Sequence, residues 1–84
     1  MKLYLYSIYD SAAKVYNRPF YQHTKGQAIR SFTDLVNDEQ SELNKHPADY
    51  YLAEMGVFED DSGSLTQPTP PVKVIIGPEV LNDA

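Results

Sequence analysis

Residues 2–9, Lys-Leu-Tyr-Leu-Tyr-Ser-Ile-Tyr, constrain this chain most. In an extended strand, alternate side chains share a face. Leu3, Leu5 and Tyr9 then fall on one side and Tyr4, Tyr6 and Ile8 on the other. Both sides are apolar, so the segment belongs inside a sheet, or its second face meets a partner. Only one stretch of the chain has helical periodicity, which makes cover for both sides scarce.

That stretch begins at Thr24-Lys25-Gly26-Gln27, which has the form of a capping box. The Thr24 hydroxyl takes the Gln27 N–H and the Gln27 side chain reaches back toward Thr24. Ala28, Ile29, Phe32, Leu35 and Val36 follow at i, i+1, i+4, i+7 and i+8, one apolar stripe, with Arg30, Ser31, Thr33, Asp34 and Asn37 facing away. The helix should end near Asn37-Asp38, where acidic residues sit badly against the negative end of the dipole. Between strand and helix, residues 11–23 lack periodicity and hold Asn17-Arg18-Pro19, so an extended loop is expected. Residues 39–49 are polar and broken at His46-Pro47.

Residues 50–58 read as a second strand and Asp60-Asp61-Ser62-Gly63 as a hairpin turn with Gly63 left-handed; residues 64–66 return. Gln67-Pro68-Thr69-Pro70-Pro71 cannot continue a ladder, because three of its five residues lack an N–H. Residues 72–76 form a last strand, stopped by Gly77-Pro78. The expected fold is a small single α+β domain, one amphipathic helix on a mostly antiparallel sheet of three to four strands. It should span residues 1–78, with the Pro-rich connector at 67–71 and a flexible tail at 79–84.

Eighty-four residues leave no room for a second core, and at this size a monomer's stability margin is thin. The apolar second face of residues 2–9 therefore points to a homo-oligomer. There is no cysteine, which removes disulfides, thiol nucleophiles and thiolate metal sites. No run approaches the ~20 apolar residues of a membrane span, nor does the start resemble a signal peptide, so a cytoplasmic protein with no membrane partner is expected.

The net charge of −5 hides a division. Residues 1–30 carry five cations against Asp10, a net +4, whereas residues 31–84 carry two against eleven carboxylates, a net −9. The acidic half reads as solvated surface. Catalysis has little to draw on: His23 and His46 are the only bases suited to neutral pH, and no serine sits in a nucleophile elbow. The expectation is no enzyme, no cofactor and no metal. The acidic turn at residues 59–63 lacks calcium-loop spacing and reads as an exposed hairpin tip.

Residues 14–25 are the chemically distinctive part. Lys14, Tyr16, Arg18, Phe20, Tyr21, His23 and Lys25 interleave cations with rings and lead into the helix start. Stacked rings are worth roughly 1–3 kcal/mol per base to an unpaired strand, and a helix N-terminus favours an anion. The other reading of the same residues is a lid, with the rings over the core and the cationic heads in water. On the first reading Phe20 and Tyr21 stack, and Arg18, Lys25 and Arg30 pair with phosphates or acidic groups. Lys14 and His23 add to the patch, while Gly26 admits an anion to the helix start.

Several blocks carry a resemblance: Ser7-Ile8-Tyr9-Asp10-Ser11, Arg18-Pro19-Phe20, residues 24–32, Val36-Asn37-Asp38, residues 45–52 and Gly56-Val57-Phe58-Glu59-Asp60. In this order they resemble the small nonstructural protein of gokushoviruses, the tailless single-stranded DNA phages of the microvirus group. The resemblance covers the chain up to the Pro-rich connector, and residues 72–84 are less like that family. It implies an accessory protein made in the bacterial cytoplasm and absent from the mature virion. Its role would lie in the switch from double-stranded replication to single-stranded genome synthesis and packaging. Partners would be phage and host replication or packaging proteins, with single-stranded DNA as a further contact. The resemblance supplies no catalytic residues. The alternative is a homo-oligomeric interaction module that binds no nucleic acid.

Overall fold

A computed structural model describes residues 1–68 and 70–82. Two long antiparallel strands, β1 (Lys2–Asp10) and β4 (Tyr50–Glu59), form the centre of one sheet, paired from Lys2↔Glu59 to Asp10↔Tyr50. On the outer side of β1 lie β2 (Val15–Tyr16) and β3 (Phe20–Gln22), and on the outer side of β4 lie β5 (Ser64–Thr66) and β6 (Val72–Ile76). All pairings are antiparallel. Residues 2–9 are thus an interior strand, as both their faces require.

The sheet has six strands where three to four were expected, and the difference has a chemical cause. Each outer position is shared by two short strands, with an interruption that contains proline. Asn17-Arg18-Pro19 separates β2 from β3, and residues 67–71 separate β5 from β6. A ring nitrogen without its hydrogen cannot donate to the ladder, so pairing stops and resumes beyond it. Residues 11–23, expected as a loop, therefore hold two strands. Broken edges with proline also discourage unwanted strand addition.

The helix α1 (Lys25–Val36) starts as its sequence predicts, with Thr24 Oγ1 accepting from the Gln27 N–H at 3.1 Å. The reciprocal bond forms one residue earlier, from the His23 N–H to Gln27 Oε1 at 3.1 Å. Ala28, Phe32 and Val36 are fully buried against Tyr6, Ile8 and Leu52 of the sheet. Leu35 departs from the expected stripe, being 39% exposed. Asn37 does not face away: its Nδ2 donates to Thr33 O and Val80 O, and its Oδ1 accepts from the Asn82 N–H at 2.8 Å.

Two short helices escaped the sequence reading. Ser41 caps α2 (Glu42–Lys45) through the Asn44 N–H, and its one apolar residue, Leu43, enters the core. A 3-10 turn, Pro47–Asp49, leads into β4. After β6 the chain forms α3 (Gly77–Val80), and Val80 and Leu81 pack on the core. Residues 79–82, expected in a tail, are docked; Asp83 and Ala84 of that tail, and Thr69 of the connector, lie outside the described residues.

All three helices lie on one side. Register places Tyr4, Tyr6, Ile8, Phe20, Leu52 and Glu54 toward α1, and Leu3, Leu5, Ser7, Tyr9, Tyr51 and Phe58 on the helix-free side. Tyr16, Tyr21, Leu65 and Lys73 join the second group through their partners Tyr9, Leu5, Phe58 and Ala53. Tyr9 packs on Tyr16 and Tyr51 at 4.6 and 5.1 Å between ring centroids, and Lys73 Nζ lies 4.6 Å above the Tyr51 ring. Among the described residues no helix is long and apolar enough to cross a membrane.

Candidate nucleic-acid interface

The cationic and aromatic residues of 14–30 occupy the outer edge beside β1 and the start of α1. Lys14 ends the β1–β2 turn in a left-handed conformation, φ 59°. Asp10 Oδ1 shapes that turn by accepting from the Ala12 and Ala13 N–H groups at 3.0 and 3.2 Å. Arg18 projects from the interruption between β2 and β3 and is exposed. Lys25, Gly26 and Arg30 are exposed on α1, with exposed His23 preceding the Thr24 cap.

Strand alternation divides the two rings proposed to stack. Phe20 is half-buried on the helix side, its ring 6.3 Å from that of Tyr6, and belongs to the core. Tyr21 points to the opposite side, 51% exposed, with its edge toward Phe58 at 6.1 Å. Phe20 thus covers the core, while the Tyr21 ring is left exposed on the other side of the sheet. Gly26 is not demanded by space, because a Cβ there would meet only Thr24 Oγ1, at 3.8 Å.

His23 and Lys25 are brought together by the cap. With Tyr4, Tyr6, Thr24 and Glu54 they line an open cleft of about 340 Å³ between β1, β4 and the start of α1. The Lys25 and Gly26 N–H groups have no intrahelical acceptor at that start, so the positive end of the dipole is available there. Tyr6 is fully buried, and its hydroxyl has no hydrogen-bond partner. Burial raises its pKa first, and the nearby Glu54 carboxylate and Tyr4 hydroxyl raise it further, keeping the group neutral. Tyr4, Tyr6 and Glu54 were not singled out in the sequence; the only signal was a carboxylate within an apolar strand.

Among the described residues the ion pairs within 4.0 Å are the Met1 amino group with Asp60 and Lys45 with Glu42. Lys14, Arg18, Lys25 and Arg30 are all absent from such pairs. Asp34 stands one turn beyond Arg30 on α1, and Glu54 lines the cleft beside Lys25, so these two carboxylates lie nearest the cations of the helix. No group of three or more His, Asp or Glu among the described residues is placed to hold a metal ion.

The chain is a small α+β fold, a helix-capped antiparallel sheet with a cationic edge and a mixed cleft. The match of the Phage ORF5 protein family over residues 3–80 goes further: the chain belongs to that family and is a phage protein. No curated protein and no solved structure matches it.

Proposed function

We propose that this chain is a non-enzymatic accessory protein of a microvirus-group phage, of gokushovirus type. It acts in viral DNA replication, at the switch to single-stranded genome synthesis and packaging. It works in the bacterial cytoplasm and is left out of the mature virion. Its contacts are with phage and host replication or packaging proteins and with single-stranded DNA.

The observation that carries the DNA contact is the exposed set Lys14, Arg18, Lys25 and Arg30, strung from the β1–β2 turn along the outer edge of the sheet to α1 and absent from the ion pairs among the described residues. Phosphates track these cations, and Lys25 and the first-turn N–H groups form the strongest anion position. The cleft beside them suits one nucleotide, with tyrosine walls and the Glu54 carboxylate as acceptor for an amino-bearing base edge.

Fluorescence anisotropy with a labelled ~20-nucleotide strand tests this, over a salt series. Four phosphate contacts give a log–log salt slope of about −3, so affinity should fall roughly 50-fold between about 50 and 200 mM salt. Arg18→Ala and Lys25→Ala should each weaken binding and flatten the slope by about 0.7. Variants that bind as tightly as the parent, with the same slope, refute the contact.

A further inference from the structure

The sheet has cover on one side only. Leu3, Tyr9, Tyr51, Met55 and Phe58 are half-buried on or beside the helix-free side, and Tyr16, Tyr21 and Leu65 are 37%, 51% and 47% exposed. Leu5 and Met55 floor a cavity of about 420 Å³ there, walled by Pro19 from one interrupted edge and by Gln67, Pro68 and Pro71 from the other. The proline segments that break the edges thus also frame an apolar depression. Ser7, the polar residue at the centre, is satisfied, its hydroxyl donating to Asn17 O at 2.6 Å.

Charge identifies what covers this side. Of the twelve carboxylates all but Asp83 belong to the described residues, and among these none stands at a register position of the helix-free side. The one charged residue there, Lys73, lies over the Tyr51 ring. A nucleic acid would find a single cation, and a basic partner would find no carboxylate. A surface without acidic groups on a chain of net charge −5 suits a second copy of itself, because two copies approach there without opposing their carboxylates. Size agrees: the molecule measures 45 × 23 × 18 Å, and even its narrower long side accommodates the ~800 Å² that each partner of a stable pair buries.

We infer that two copies of this chain pack their helix-free sheet sides together as an isologous dimer, with the aromatic and aliphatic residues of β1, β3, β4 and β5 at the interface. A two-fold axis presents the same uncharged patch from both copies, and sheets packed in this way sit about 10 Å apart. The dimer supplies the second cover that residues 2–9 require, and it leaves the α1 edge free. It does not depend on the DNA contact.

Light scattering on a size-exclusion column tests it, with the protein loaded at about 100 µM because the mass of an associating chain depends on concentration. The parent should elute with the mass of two chains. Leu65→Glu places a carboxylate on the interface and should raise the dimer dissociation constant at least about 30-fold, the effect of opposing buried like charges. Val72→Glu is the matched control: Val72 is 48% exposed but pairs with Glu54, so it faces the helix side, and its variant should remain dimeric. Tyr21→Glu repeats the test on the other edge, and circular dichroism checks that each variant is folded. A parent of single-chain mass overturns the proposal, as does equal dissociation in Leu65→Glu and Val72→Glu. A single chain that pairs only when a DNA strand is added also overturns it.

Discussion

Gly77→Ala probes the closest backbone approach at any of the four glycines. Gly77 is buried at the first position of α3, and a Cβ there would stand 2.0 Å from Pro47 O and 2.8 Å from Pro47 C. An ordinary contact begins at 3.4 Å, so α3 and the Pro47–Asp49 turn must separate by more than 1 Å. Both obstacles are backbone atoms, held between α2 and β4 on one side and by the docked C-terminal segment on the other. Two responses are open. If the packing yields locally, overpacking costs about 1–3 kcal/mol. If α3 undocks, the half-buried Val80 and Leu81 lose about 1 kcal/mol each. The Asn37 bonds to Val80 O and the Asn82 N–H then contribute about 1 kcal/mol each. The two routes bracket a loss of about 1–4 kcal/mol, which lowers the melting temperature by roughly 5–30 °C in a domain of this size. Urea unfolding followed by circular dichroism measures it. Gly56→Ala provides the comparison: its Cβ would meet Thr66 O at 2.6 Å, but β5 is exposed and can shift, so the cost should be smaller. A Gly77→Ala variant within about 0.5 kcal/mol of the parent, the range of an ordinary surface change, would refute the reasoning.

Gly26→Ala should stabilise the protein by about 0.5–1 kcal/mol, since the helical site has room for a methyl group and glycine is the poorer helix former. Thermal melts measure this, and a destabilised variant would show that the space is not free. Lys14→Gly should stabilise by about 1 kcal/mol by relieving the left-handed conformation, while weakening DNA binding through the lost cation. Opposite changes in urea midpoint and anisotropy are the signature. At high pH, Tyr51 is pushed up to about 12, first by burial and then by the neighbouring Tyr16 and Tyr9 hydroxyls. Folding favours its neutral form, so this stability is intact below pH 10 and is lost as pH rises from about 10 to about 12. Tyrosinate absorbance and unfolding should move together in that window; a Tyr51 that titrates near 10 in the folded protein would contradict it.

Elements made by local chemistry were legible in the amino-acid order. The Thr24 cap and the 3.6-residue spacing of Ala28, Phe32 and Val36 specify α1 without reference to the rest of the chain. Gly63, at φ 73°, closes the β4–β5 turn as a residue without a Cβ should. Two-sided apolarity places β1 inside the sheet. The cationic character of residues 14–30 is likewise a property of composition.

What depended on distant partners was not legible. Val15-Tyr16 and Phe20-Tyr21-Gln22 are too short to signal strands by periodicity, and they become strands because β1 offers unpaired backbone groups beside them. Their alternation then sends Phe20 into the core and Tyr21 to the opposite side, which no local pattern states. The cleft joins Tyr4, Tyr6 and Glu54 to His23 and Lys25 because β1 pairs with β4 across some fifty positions of chain. Residues 79–82 are terminal and too short for periodicity, yet the Asn37 hydrogen bonds and the close approach of Gly77 to Pro47 dock them. Sequence alone determined α1, the long strands β1 and β4 and the β4–β5 turn, since these rest on backbone geometry and neighbouring side chains. Tertiary structure alone decided which face each side chain occupies and which side of the sheet is left uncovered, because those follow from pairing partners far apart in the chain.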